Sequence, residues 1–286
     1  MTKKIILDLE NNEETEVDIF THFLNSAQYP QHKNIIFSAF PELKEKLDSQ
    51  QKEDEKSTVR DFLKIIREKN KDNIQKSVVF IKSEIEKYGE KTLEILADLM
   101  NYKWKPNSEN YSLVPTIFPL SPFDGNTFFY SIYKSLSGTT EYPKVLAVSA
   151  HEISHIILLD ILKDKNIELD QELLYFAKEL IAPVLVYQDD FNNIFKKEIV
   201  GNYNVLEVYF EQDGKVIKAF DYFLEMFVKN RSEGKDFSVF LDKVISACRG
   251  IESEIKEKRN FDNTYGLQIM KDTELLTKFR EPIKLK

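Results

Sequence analysis

The stretch Val145-Leu146-Ala147-Val148-Ser149-Ala150-His151-Glu152-Ile153-Ser154-His155-Ile156-Ile157-Leu158-Leu159 decides how this chain is read. Two histidines stand four residues apart, a glutamate directly follows the first, and the flanking residues are uncharged. On an α-helix, positions i and i+4 share a face, so both imidazoles can grip one metal ion while the carboxylate of Glu152 stands beside it. Uncharged neighbours suit a helix buried against a core, where an extra charge would be stranded away from water. Two histidines and a glutamate are themselves costly to bury without a partner such as a metal.

Zinc at a catalytic site takes three protein ligands and leaves a fourth position to water, so the motif calls for one more ligand. The extension H-E-x-x-H-x-x-G-x-x-H fails at both positions, because Leu158 stands in place of the glycine and Ile161 in place of the last histidine. A carboxylate from a following helix remains. Residues 170 to 183 read as that helix, with Asp170 as its N-cap and apolar residues at 173, 174, 177, 180 and 181. It offers Glu172 and Glu179 on one face. If the metal helix runs on to about Asn166, its end lies roughly 15 Å beyond His155. An antiparallel return from Asp170 must cover the same distance, which favours Glu179 as the ligand. Glu172 lies in the first turn, where an acid is favourable to the helix dipole, and is the runner-up; Asp189 is a more distant alternative.

The pattern His151-Glu152-x-x-His155 followed by a helical glutamate resembles the gluzincin clan of zinc peptidases. A second similarity is to the phage-repressor-cleaving metallopeptidase family, in which a glutamate precedes F-A-x-x-L-L-x-P; Glu172 to Pro183 echoes that pattern, with Leu174 where the family has asparagine. The second alignment makes Glu172 the ligand. Together the two cover about residues 145 to 185. They imply a Zn2+ cofactor, a peptide or protein substrate and metal-assisted hydrolysis, with Glu152 as general base and proton shuttle. Sites of this kind usually also carry an oxyanion donor; Tyr187, Tyr203, Tyr209 and Tyr222 follow the ligand helix, and no motif selects one. The competing reading is a catalytically inactive zincin-like binding or structural protein. Retention of Glu152, which a structural metal site does not need, favours the enzyme.

Upstream, residues 112 to 120 and 127 to 133 flank Asp124-Gly125 and read as a β-hairpin. Pro115 and Pro119 point to an edge position for the first strand, leaving Phe128 and Tyr130 on the second as candidate substrate-binding residues. A second hairpin is expected from 205 to 217 around Asp213-Gly214, and a short strand from Lys3 to Leu9. Apolar spacing predicts helices at 15–25, 35–48, 57–69, 72–88, 90–102, 218–230 and 236–258, with a loop from Asp48 to Lys56. The expected fold is α+β and predominantly helical. An N-terminal helical region (1–108) would precede a zincin-like metal-binding core (109–200), whose small antiparallel or mixed sheet lies beside the H-E-x-x-H helix, and a mostly helical C-terminal region (201–286).

Composition narrows the partners. The 286 residues carry a formal net charge of −8, and no basic face is concentrated enough to offset nucleic-acid phosphates. With 21 Phe and 13 Tyr the chain can bury a large core. Cys248 is the one cysteine, which excludes an internal disulfide and fits a reducing compartment. Only three apolar residues separate Lys4 from Asp8, too few for a signal-peptide core, and no purely apolar 18-residue run is present. A cytoplasmic protein without membrane attachment is expected.

Overall fold

The computed structural model describes residues 7–10, 13–27, 30–49, 54–105 and 110–285, with Tyr203 described by its backbone alone. In chain order these form β1 (Leu7–Leu9), α1 (Glu13–Asn25), α2 (Pro30–Ala39), α3 (Pro41–Asp48), α4 (Glu55–Lys69), α5 (Lys71–Leu99), β2 (Tyr111–Thr116), β3 (Phe123–Asp124), β4 (Thr127–Ser131) and α6 (Val145–Asp164). There follow α7 (Gln171–Val186), α8 (Tyr203–Leu206), β5 (Tyr209–Gln212), β6 (Lys215–Lys218), α9 (Ala219–Ser232), α10 (Phe237–Gly250), α11 (Glu252–Tyr265), α12 (Thr273–Phe279) and β7 (Ile283–Lys284). The fold is α+β and predominantly helical, with two small sheets. Its described residues group into two compact units, one holding 91–105 and 150–285, the other drawn from 7–90 and 110–149. The division falls within α5 and α6.

In the second of these units the sheet runs β1-β2-β4-β3. The expected hairpin is corrected here: β2 and β4 pair in parallel, with Leu113 opposite Phe128 and Pro115 opposite Tyr130. The Asp124-Gly125 turn joins β4 only to the two-residue β3. Pro115 does not mark an edge strand, because β1 pairs only with Tyr111 to Leu113 and the proline lies past the end of that ladder. Of the strand expected from Lys3, Leu7–Leu9 is present, and residues 3–6 lie outside the described residues. An aromatic cluster of Phe20, Phe23, Phe40, Phe62 and Phe118 fills the helical side.

Several expected helices change length for local reasons. The predicted 35–48 helix is two helices, because a residue before proline is driven out of the helical region; Phe40, before Pro41, has φ −133° and ψ 73°. Of the expected 48–56 loop, 50–53 lie outside the described residues. The helices at 72–88 and 90–102 are the single α5, which runs through Gly89. A Cβ there would stand 3.3 Å from Ile85 Cγ2 and 3.5 Å from the Leu7 Cβ, so the glycine sits in a snug but unbroken stretch of helix. The 236–258 helix divides at Ile251 (φ −128°), after Gly250 weakens the end of α10.

In the other unit, α7 packs against α9, α10 and α11. The expected second hairpin is present as antiparallel β5 and β6, but it starts at Tyr209, since Val205 and Leu206 belong to α8. The segment after Asn260 supplies the end of α11, then α12 and β7, which pairs in parallel with β5. Phe220, Phe223, Phe227, Phe237 and Phe240 fill the core under α9 and α10. α6 contains an 18-residue window with mean hydropathy 1.7, long and apolar enough to cross a membrane; 67% of that window is buried within the protein, as befits a core helix.

Candidate metal centre

α6 carries the histidines because almost every side of it is apolar. Val145, Leu146, Ala147, Ala150, Ile153, Ile157, Leu158 and Leu162 are all buried along it. Its two serines remain inside by returning their hydroxyls to the helix backbone, Ser149 to the Val145 carbonyl (2.7 Å) and Ser154 to the His151 carbonyl (2.6 Å). One turn apart on this helix, the His151 and His155 rings lie 4.5 Å between centroids, nearly perpendicular, and both are buried.

α7 returns from the turn that ends α6. Asn166 has φ +52°, the left-handed conformation asparagine tolerates at a helix end, and Asp170 caps α7 by accepting a hydrogen bond from the Leu173 amide (2.8 Å). From that start two helical turns separate Glu172 from Glu179. Glu179 is buried between the two imidazoles: its Oε2 lies 3.6 Å from His151 Nε2 and its Oε1 3.6 Å from His155 Nε2. One donor atom from each of the three side chains falls within 4.8 Å of the others, so the group could hold a metal ion.

The separations fit that use. At 3.6 Å the nitrogen–oxygen pairs are beyond hydrogen-bond distance. Two ligand atoms each about 2.0–2.2 Å from a tetrahedral ion stand about 3.3–3.6 Å apart. The donor set, two imidazole nitrogens and a carboxylate oxygen, suits a borderline divalent metal. His151 is also oriented for it: Nδ1 lies 3.0 Å from the Val200 carbonyl, which can only accept, so Nδ1 carries a proton and Nε2 is the nitrogen left for a metal once the ring is neutral.

Burial opposes protonation of both histidines, with different outcomes. His155, further disfavoured by Lys178 and His151, titrates well below the usual range and is neutral at neutral pH. For His151 the carboxylates of Glu179 and Glu152 outweigh burial and raise it. Burial also works against ionising Glu179, yet Lys178 and the two imidazoles hold it well below the usual carboxylate range. Glu152 keeps some accessible surface, but the protein around it pushes its carboxyl up to about 7, with the charge of Glu179 adding to that effect. A carboxyl that gains and loses a proton near neutrality is suited to proton transfer.

The other candidates lie elsewhere. Glu172 is half-buried and borders a narrow pocket with Tyr175, Phe176, Ile255 and Phe279. Asp189 is exposed and paired with Lys197 at 2.9 Å. Phe128 and Tyr130 are core side chains, 0% and 5% exposed, with Tyr130 packed edge-on against Tyr142; neither has surface to offer a substrate, because β4 lies between β2 and β3 and is covered on its faces. Tyr187 packs on Phe220, Tyr209 lies under Lys218, and Tyr222 packs on Phe210 and Phe223. The side chain of Tyr203 lies outside the described residues.

Two features escaped the sequence. Lys178 places its ammonium 2.9 Å from Glu179 Oε1; the signal was a lone lysine in an apolar helix. The loop Val200-Gly201-Asn202 braces His151: Val200 accepts its Nδ1–H, and Asn202 donates to the Tyr175 hydroxyl (2.7 Å) on α7. Gly201 is required by closeness, since a Cβ there would lie 2.7 Å from Pro183 Cγ and 3.6 Å from His151 Cε1. No sequence periodicity marks that loop. The chain matches no protein-family model, no curated protein and no solved structure.

Proposed function

We propose that the protein is a zinc-dependent peptidase with a zincin-like core of the gluzincin type, in which His151, His155 and Glu179 hold the metal. The observation that carries this reading is the buried two-histidine, one-glutamate group of His151, His155 and Glu179, on a helix where Glu152 directly follows the first histidine. When bound, zinc supplies a Lewis acid for the scissile carbonyl and lowers the pKa of water. The carboxylate of Glu152 accepts the proton of the attacking water and returns it to the leaving amine, a role favoured by its pKa near 7. His155 presents a neutral Nε2, and the Val200 carbonyl holds the His151 ring by Nδ1 with its Nε2 toward Glu179. The dry surroundings of α6 and α7 strengthen each of these interactions. A net charge of −8 supports a peptide or protein substrate over a nucleic acid, and the use of a single cysteine, Cys248, fits a cytoplasmic setting.

The test joins metal analysis to a peptide-library cleavage assay. Wild type is expected to bind about one zinc per chain and to cleave. Glu152→Gln should retain zinc and lose about 10²- to 10⁴-fold in turnover. Stoichiometric zinc with no cleavage of any peptide would instead make the protein a catalytically inactive zincin-like module.

A further inference from the structure

Apart from Glu179, Lys178 is the one charged residue between Leu173 and Val186. Neighbours i and i+1 on a helix do not face each other, so the lysine stem must fold back around α7 to reach the carboxylate. It does so with Nζ 2.9 Å from Oε1, and its side chain is only 17% exposed. That oxygen is the one 3.6 Å from His155 Nε2. The ammonium therefore engages one of the two carboxylate oxygens on which the metal would draw, the other lying equally close to His151. Its charge also reaches His151, Glu152 and His155.

We propose that Lys178 is a built-in competitor of the metal: its ammonium and the dication contend for the Glu179 carboxylate, and the lysine thereby sets how tightly the metal is held. The inference rests on the metal-binding reading of this site. Replacing Lys178 by a neutral side chain has two opposed effects. One is loss of a hydrogen bond that orients Glu179, which for a partner of a metal ligand weakens binding by about 10- to 100-fold. The other is relief of repulsion. A single charge a few ångströms away changes a monovalent proton's affinity by about 10- to 1,000-fold, and a dication feels twice the force. Glu179 is also held by its own burial on α7 and by its place between the two imidazoles, so loss of the lysine leaves it oriented and repulsion dominates.

The test is Co2+ and Zn2+ titration of the full chain in chelator-buffered solutions, with the Co2+ visible absorption as a report on ligand geometry. Lys178→Met and Lys178→Gln, two neutral replacements of different polarity, should bind both metals about ten-fold or more tighter than wild type. Lys178→Arg, which keeps the charge, should return affinity to the wild-type level with the wild-type cobalt spectrum. A lysine that merely props up the fold would give weaker binding in both neutral variants. Unchanged or weaker binding by the neutral variants, with wild type binding Co2+, overturns the competition and leaves the metal centre standing. Binding by the neutral variants alone supports the competition in its strongest form. Failure of every variant, wild type included, to bind Co2+ overturns the metal reading and the inference together.

Discussion

Glu16 on α1 and Glu179 on α7 are both buried, 1% and 8% exposed, and belong to different compact units. Glu16 is closed in by donors at hydrogen-bond distance. Oε1 accepts from the Thr116 hydroxyl and the Ile117 amide, each at 2.6 Å, and Oε2 pairs with the Arg67 guanidinium. That is how a carboxylate is made at home in a protein interior. Around Glu179 the two imidazole nitrogens stop at 3.6 Å, the separation of atoms that share an ion, and the close donor is one lysine. Distance, more than burial or charge, separates a carboxylate that ties elements together from one that can bind a metal.

Breaking the first carboxylate should have the largest effect on the fold. Glu16→Ala leaves Arg67 and the Ile117 amide without their partner and is expected to cost about 3–5 kcal/mol in urea unfolding, with the metal content of the folded protein unchanged. Glu179→Ala should do the reverse. Metal affinity falls on the order of 100-fold or more, by chelator competition, while unfolding of the metal-free chain changes far less; Glu172→Ala should leave affinity intact. Gly201→Ala sharpens the contrast from outside the ligand set, since its Cβ would collide with Pro183 and move the Val200 carbonyl that orients His151. A loss of about 10- to 100-fold in metal affinity is expected, with hydrogen exchange showing the helices retained.

The smallest effect lies at the start of α7. Asp170→Ala should cost about 1 kcal/mol through loss of the cap. Burial opposes ionisation of Asp170, but Lys256 and the Leu173 amide lower its pKa below the usual 3.8. A carboxylate depressed in the folded state adds stability above its unfolded pKa and loses it as pH falls through the folded value. The difference in stability between wild type and Asp170→Ala should therefore be steady above about pH 5 and shrink below 3.8.

Much of the centre was legible because its information is local. The spacing of His151 and His155 fixes a shared helix face, and the lengths of α6 and of the return from Asp170 bring Glu179 level with them. The β-structure was less legible. Parallel pairing of β2 with β4 depends on where β1 docks and how residues 117 to 126 turn back, whereas the Asp124-Gly125 signal speaks only for the turn itself. Phe128 and Tyr130, expected to face a substrate and found buried, follow the same rule: an alternating aromatic strand is the same sequence whether its faces meet a ligand or a core. Val200 and Gly201 act through a carbonyl and a missing side chain, neither of which leaves a pattern in residue types.

X-ray absorption at the zinc edge of the reconstituted protein reads the ligands of the metal centre themselves. One zinc per chain is expected, bound by two imidazoles and at least one oxygen at about 2.0–2.2 Å, with the imidazole signal lost in His151→Ala/His155→Ala. A bound zinc without imidazole neighbours, or none retained at all, would contradict the proposed metal centre.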